Sequence, residues 1–203
     1  MPAQLSYRYF IINKPAGIVS QFVSTHAVGL LGNLNFDFPE GTHAVGRLDK
    51  DSEGLLILTT DKRVTRLLFL ATQPHKRSYL VMVQNKITPE TFSKLKEGIP
   101  IRIKDGEYYT AKPTSIEIVE KPEALYKFAT DRRDAYPHTW LLITLTEGKY
   151  RQVRKMVLAA KHRCQRLIRL SISNMYLNNM YPGEVKELEK QEFFALLGIR
   201  EPE

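Results

Sequence analysis

Residues 46–61 read Gly46-Arg47-Leu48-Asp49-Lys50-Asp51-Ser52-Glu53-Gly54-Leu55-Leu56-Ile57-Leu58-Thr59-Thr60-Asp61. The first half packs two glycines and mixed charge into a loop. The second half runs straight into Leu-Leu-Ile-Leu, an apolar element that reads as a buried strand or a short buried helix. Periodicity alone does not separate the two. Asp61 then reads as a helix N-cap, because Val64, Leu67, Leu68 and Ala71 follow on one apolar helix face and Pro74 closes it. Asp49 stands in the loop two residues after Arg47 and directly before Lys50. A carboxylate on a loop held by a rigid element can act as nucleophile or base. The same residues also read as a surface turn of mixed charge.

Working outward, Tyr7 to Asn13 reads as a strand that stops at the turn Lys14-Pro15-Ala16-Gly17. Residues 20–42 lack periodicity and are rich in Gly, Asn and Phe, which predicts loops. Ser78 to Val83 is a strand. Thr88-Pro89 opens a helix with Phe92 and Leu95 inward and Gly98 at its end. Ile101 to Lys104 and Glu107 to Ala111 flank Asp105-Gly106, a strong hairpin signal. Ser115 to Glu120 alternates like a strand, residues 121–138 read as a surface loop, and Thr139 to Thr146 is a strand. A helix over Tyr150 to His162, a strand over Arg166 to Ser173 and a helix over Lys190 to Leu197, closed by Gly198, complete the chain. This order predicts an α+β fold with a mostly antiparallel central sheet and flanking helices. At roughly 150 residues per domain, residues 1–203 form one domain, with two lobes around a cleft as the variant.

Composition narrows the function classes. Hydrophobic residues make up 43% of the chain, enough for a core. The longest uninterrupted apolar runs have five residues, far short of the ~20 a membrane helix needs. The N-terminus shows no charged region followed by an apolar stretch, so no secretory signal is read. The single cysteine, Cys164, excludes an internal disulfide framework and reads as structural. Together these lead to the expectation of a cytoplasmic protein. The five histidines are scattered, so no metal site is expected, and His43 reads as a loop residue. The 30 Lys+Arg exceed the 22 Asp+Glu, for a net charge of +8, which points to a polyanionic partner. The excess is concentrated. Residues 149–169 hold eight cations, Lys149, Arg151, Arg154, Lys155, Lys161, Arg163, Arg166 and Arg169, and no acidic residue. On a helical wheel Val153, Met156, Val157 and Ala160 make an apolar face, Arg151 and Lys155 lie opposite, and Arg154 lies on the flank. That arrangement presents cations to a cleft, or to solvent.

Residues 46–61 resemble the active-site signature of the pseudouridine synthases, G-R-L-D-x-x-T/S-x-G-L-L/I-L/I-L-T-x-D, at every specified position. The resemblance is greatest to the branch that modifies single ribosomal uridines. Asn13-Lys14-Pro15 resembles its N-K-P block, and Arg77 to Val83 its K-x-Y-x-V strand. Glu147 to Met156 resembles its E-G-R-x-x-Q-V/I-R/K-R-M block. Arg166 to Arg169 and Pro182-Gly183-Glu184 match later blocks, so the resemblance spans nearly the whole chain. Arg77 and Lys149 exchange Lys and Arg against the pattern, and Lys at 149 gives up the bidentate fork of Arg. With the N-K-P block starting at residue 13, no separate N-terminal RNA-binding domain is expected, which is similar to the large-subunit ribosomal pseudouridine synthase E subfamily.

The resemblance implies isomerisation of a uridine in ribosomal RNA, with large-subunit RNA as the expected target, free or in an assembly intermediate. It implies a flipped-out base, no cofactor and no metal. It assigns catalytic roles to three residues: covalent catalysis to Asp49, pairing with the carboxylate to Arg154, and to Tyr79 stacking on the base near C5, alone or with its hydroxyl assisting proton removal. Attack on the ribose, attack on the base and elimination are all compatible with that role of Asp49. It further implies RNA contacts for Arg47, Lys14, Lys149, Arg151, Lys155, Leu167 and Arg169, with a structural role open for Lys14 and Arg169. A monomer is expected. The alternatives are a non-catalytic RNA-binding or ribosome-assembly protein on the same scaffold, and a synthase acting on small-subunit or transfer RNA. Retention of Asp49, Tyr79 and Arg154 together favours the enzyme.

Overall fold

The computed structural model describes residues 7–69, 74–121 and 135–202. The chain divides into two compact units, Met1–His75 with Ser171–Glu203, and Lys76–Leu170. Seven strand pairings described below are antiparallel. Four helices occur among the described residues, so the fold is mixed α/β around mostly antiparallel sheet, as the sequence predicts.

In the first unit, β1 (Tyr9–Lys14) pairs with β3 (Glu53–Thr59) from Tyr9 opposite Thr59 to Lys14 opposite Gly54. The other edge of β1 carries β11 (Val185–Leu188), and β2 (His43–Val45) also pairs with β3. β10 (Met175–Tyr176) pairs with the last two residues of β9 (Cys164–Ile172). The apolar run Leu55 to Leu58 is therefore a strand. It has apolar cover on both faces, which is why the sequence shows a continuous run and no alternation. Phe10, Ile12, Leu56 and Leu58 share one face with Leu31 and Leu48. Tyr9, on the opposite face, meets Phe193 and Phe194 of α4 (Lys190–Leu197) at 4.6 and 5.5 Å between ring centres. The segment read as loops does contain little regular structure beyond a 3-10 turn at Leu31–Asn33. It is nonetheless packed: Phe36 and Phe38 stand edge-on to Phe10 at 5.6 and 6.1 Å, and Phe22 to Phe38 at 5.2 Å. Edge-to-face rings add about 0.5–1.5 kcal/mol each beyond burial.

In the second unit the strand order is β9, β4 (Arg77–Gln84), β8 (His138–Leu145), β7 (Ser115–Val119). α2 (Pro89–Glu97) starts at Thr88, whose hydroxyl accepts the Thr91 N–H at 3.3 Å. It ends at Gly98, where φ is +112°. The core joins Tyr79, Val81 and Val83 of β4 to Leu141, Ile143 and Leu145 of β8. Val153, Met156 and Val157 of α3 (Gln152–Ala159) close it, the face the helical wheel assigns.

Several boundaries differ from the sequence reading. The Asp105-Gly106 connection is not a two-residue turn: β5 (Ile99–Arg102) and β6 (Tyr108–Ala111) pair with Arg102 opposite Tyr108, and a 3-10 turn at Lys104–Gly106 lies between them. α3 is shorter than Tyr150 to His162 because Arg151 at φ +53° and Lys161 at φ +64° lie in the left-handed region and cannot extend it. His43 lies in β2, not a loop. Ala71, the bulk of the 121–138 loop and the first six residues lie outside the described residues.

Asp61 fastens α1 (Arg63–Phe69) to this frame. Its buried carboxylate accepts the Arg63 backbone N–H at 3.0 Å, the Arg63 Nε at 2.9 Å and the Tyr9 hydroxyl at 3.2 Å. Burial opposes the charge, but the hydrogen bonds from Arg63 and Tyr9 outweigh it and hold Asp61 below its ordinary value. Burial and the Asp61 charge push the Tyr9 hydroxyl well up. A carboxylate lowered on folding contributes stability above its unfolded pKa, and that contribution is lost as pH falls through the folded value. Asp61→Asn is expected to cost about 1–3 kcal/mol at neutral pH, to judge by other buried charged hydrogen bonds. It should also flatten the loss of stability that the native protein shows below about pH 4. Denaturant melts between pH 3 and 7 read both effects; parallel curves for the two proteins would contradict the role of Asp61.

Candidate active site

Asp49 lies on the loop between β2 and β3, half-buried, with Arg47 exposed beside it and Leu48 buried between them. Glycines at positive φ flank this loop, Gly46 at +74° where it begins and Gly54 at +100° as the second residue of β3, where an L side chain is strained. This is the conformational reason for two glycines in the 46–61 stretch. The loop is anchored by its own backbone. The Ser52 N–H donates to the Asp49 carbonyl at 3.0 Å, and the Gly17 N–H to the Lys50 carbonyl at 2.8 Å. Ser20 is buried, and its Oγ accepts the Leu48 N–H at 3.0 Å while facing the Leu48 carbonyl as donor at 2.9 Å. One side chain thus satisfies both backbone groups of the residue preceding Asp49.

Lys14 completes the support. It has no exposed surface, and its Nζ donates to the carbonyls of Pro15 and Ile18, both at 2.8 Å. Those bonds hold the turn that carries Gly17 and leads to Ser20. As the chain is folded, Lys14 is inside and braces this turn, the structural role that its sequence reading left open. A basic residue beside Pro and Gly looks like a surface turn in a sequence, and only the carbonyl cage shows otherwise. Ser20 has no comparable sequence signal.

In the second unit Tyr79 sits on β4, nine-tenths buried, in the same core cluster as Leu167 of β9. Arg169, two residues further along β9, is also buried, and its guanidinium is hydrogen-bonded to the Tyr79 side chain. Burial lowers the Arg169 pKa and the Tyr79 contact opposes that lowering. Arg169 therefore supports Tyr79 from within the unit, the structural role that its sequence reading left open. The cause is local: Arg166 and Arg169 stand three residues apart on β9, hence on opposite faces, and both are buried.

The basic residues of the Glu147–Met156 block separate into distinct environments. The Gln152 side chain accepts the Lys149 N–H at 2.9 Å and donates to Glu147 at 2.5 Å. Glu147 also accepts the Tyr109 hydroxyl at 2.7 Å, which raises that hydroxyl's pKa. Lys149 Nζ lies 4.6 Å from the centre of the Tyr109 ring. This network starts α3 immediately after left-handed Arg151, a conformation that costs a non-glycine residue about 1–2 kcal/mol. Arg151, Arg154 and Lys155 are half-buried, and Lys155 Nζ donates to the Arg102 carbonyl at 2.7 Å. Among the described residues, no group of three or more His, Cys, Asp or Glu is placed to hold a metal ion, and no helix is long and apolar enough to cross a membrane.

The first unit thus holds a half-buried carboxylate on the loop ahead of a buried strand, and the second an aromatic hydroxyl bonded to a buried arginine. Residues 8–159 match the RNA pseudouridylate synthase family, and the chain belongs to it. The chain is 37% identical over 185 residues to the ribosomal large subunit pseudouridine synthase E of Vibrio vulnificus, covering 89% of this chain and 75% of that protein. It is 26% identical over 190 residues to the ribosomal small subunit pseudouridine synthase A of Salmonella typhimurium, covering 93% of this chain and 74% of that protein. The fold is similar to the crystal structure of a pseudouridylate synthase, at a TM-score of 0.74 and 27% identity, covering 94% of this chain and 74% of that one.

The Ser20 clamp gives a direct test of how the Asp49 loop is held. Ser20→Ala strands the buried Leu48 N–H and carbonyl, at about 1–3 kcal/mol. The expected result is faster exchange of the Leu48 amide hydrogen, with Ser20→Thr close to the parent. Unchanged protection of Leu48 in Ser20→Ala would show that the loop is held by other contacts.

Proposed function

We propose that this chain converts a specific uridine of ribosomal RNA, in the large subunit, to pseudouridine, with Asp49 carrying the covalent step. The observation that supports this best is the placement of Asp49. Its loop is bounded by two positive-φ glycines and fixed through Leu48 and Lys50, yet the residue itself stays partly open to solvent. A pinned backbone with an accessible carboxylate is what a positioned nucleophile or base needs.

The reaction is an isomerisation and balances without a second substrate. The N1–C1′ bond of the nucleoside breaks, the base turns, a C5–C1′ bond forms, C5 loses a proton and N1 gains one. Tyr79 is assigned to stack on the flipped base, its hydroxyl oriented by Arg169. Arg154 supplies the cation for the Asp49 carboxylate, Arg47 fills the space the base leaves, and Leu167 packs beside the base. Lys149, Arg151 and Lys155 hold phosphates. The protein acts as a monomer in the cytoplasm on free RNA or an assembly intermediate, because a base must be extruded before the finished subunit encloses it. Large-subunit RNA is preferred over small-subunit RNA because the relative named for the large subunit shares 37% identity and that named for the small subunit 26%.

Asp49→Asn keeps the side-chain shape and removes the reactive carboxylate. It is expected to bring pseudouridine formation down to background while RNA affinity stays within a few-fold. Tritium release from labelled uridine RNA reads the first and filter binding the second; turnover comparable to the parent would contradict the assignment. Run in parallel on naked large-subunit RNA, naked small-subunit RNA and intact ribosomes, the assay should show modification of the first. Modification confined to intact ribosomes, or to small-subunit RNA, would overturn the substrate reading.

A further inference from the structure

Tyr108 and Tyr150 are the two most exposed aromatic side chains among the described residues, at 76% and 75%. One exposed tyrosine calls for no explanation. These two belong to one connected surface of the second unit. Arg102 and Tyr108 are cross-strand partners in the β5–β6 pair. They occupy its exposed positions, while Ile99, Ile101 and Ala111 of the same strands are buried. Lys155 bridges from there to α3: its Nζ donates to the Arg102 carbonyl at 2.7 Å and lies 5.3 Å from the centre of the Tyr150 ring. Tyr150, Lys155, Arg102 and Tyr108 thus form a strip in which two open rings flank two cations. No carboxylate among the described residues neutralises Lys155 or Arg102.

We propose that this strip binds an unpaired strand of the substrate RNA, with bases stacked on Tyr108 and Tyr150 and phosphates held by Arg102 and Lys155. The inference rests on the pseudouridine synthase reading and adds to it a surface outside the 46–61 loop and the Tyr79 strand. The chemistry selects the ligand. Ring faces open to solvent accept the face of any base, and interleaved cations track the phosphates between bases. A duplex hides its base faces in the helical stack, so it meets the cations but not the rings. The basic excess of the chain matches a polyanion in sign, and the rings narrow that polyanion to an unpaired one. The arrangement also gives Lys155 a reason to stay at the surface of α3. Bonded to the Arg102 carbonyl, it keeps its charge beside the Tyr150 ring without losing it to a carboxylate.

The test uses the full chain and octacytidylate, which has no uridine to isomerise, with fluorescence anisotropy as the readout. Tyr108→Ala and Tyr150→Ala are each expected to weaken binding by roughly 5- to 100-fold, the range for loss of one base–aromatic stack. Tyr108→Phe and Tyr150→Phe should stay within about twofold. Lys155→Ala should lower the slope of log affinity against log salt by about 0.7, the value for one phosphate contact on a single strand. An eight-base-pair RNA duplex should bind more weakly and ignore the tyrosine changes. The alanine variants bind like the parent, or the duplex shows the same dependence on the tyrosines, if the strip is not a single-strand site; either result overturns the proposal. Pseudouridine formation by the parent protein is measured on the same preparation. Its absence would overturn the enzymatic reading, whereas intact isomerisation with tyrosine-independent binding would overturn the strip alone.

Discussion

The β1–β3 ladder is the constraint on which the first unit depends. It runs from Tyr9 opposite Thr59 to Lys14 opposite Gly54, and buried apolar pairs alternate between its two faces from Phe10–Leu58 to Ile12–Leu56. A one-residue slip would put Phe10 and Ile12 into the face shaped for Tyr9 and Ile11, and misfits of that kind in a packed core cost about 1–3 kcal/mol each. The ladder ends where the chemistry begins. Beyond Lys14 the chain turns under the lysine's own ammonium group, and ahead of Gly54 it forms the Asp49 loop. Because these two segments leave the same end of one ladder, Gly17 and Ser20 arrive opposite Lys50 and Leu48. The register of a buried strand pair thereby fixes the backbone on both sides of Asp49.

The second unit repeats this logic with different means. There β4 carries Tyr79, and β9 carries Leu167 and Arg169 beside it. Arg169 shows how an ion can be placed in a core when it has a polar neighbour: its guanidinium loses water but gains the Tyr79 oxygen. At the start of α3, the Gln152 side chain reaches back to the Lys149 N–H and closes the turn ahead of the helix, and Glu147, itself bonded to Tyr109, holds it there. A tight turn is therefore built from side chains that sequence periodicity treats as surface polar residues.

Most of the larger elements were legible because their signals are local. Thr88-Pro89 and Gly98 bound α2 through cap and φ preferences, and β3 was recognisable by its apolar run, with its strand character decided only by β1 alongside it. The short strands β2, β10 and β11 were missed, since two to four residues give no period to count. The Asp105-Gly106 signal placed the hairpin but not the width of its turn, which the register of Arg102 and Tyr108 sets. Asp49 was legible through glycine spacing and the motif it resembles. For Lys14 and Arg169 the sequence left an RNA contact and a structural role open, because charge is a prior for exposure that fails where carbonyls or a tyrosine oxygen supply the partner. Ser20 was invisible, because its role depends on a contact 28 residues away.

The claim that joins these parts is that the pinned Asp49 carboxylate modifies ribosomal RNA. Pseudouridine mapping across the ribosomal RNA of cells lacking the protein, complemented in turn by the native chain and by Asp49→Asn, measures it most directly. The account predicts that a single large-subunit site is lost, returns with the native chain and stays absent with Asp49→Asn. An unchanged set of ribosomal pseudouridines, or restoration of the lost site by Asp49→Asn, would contradict it.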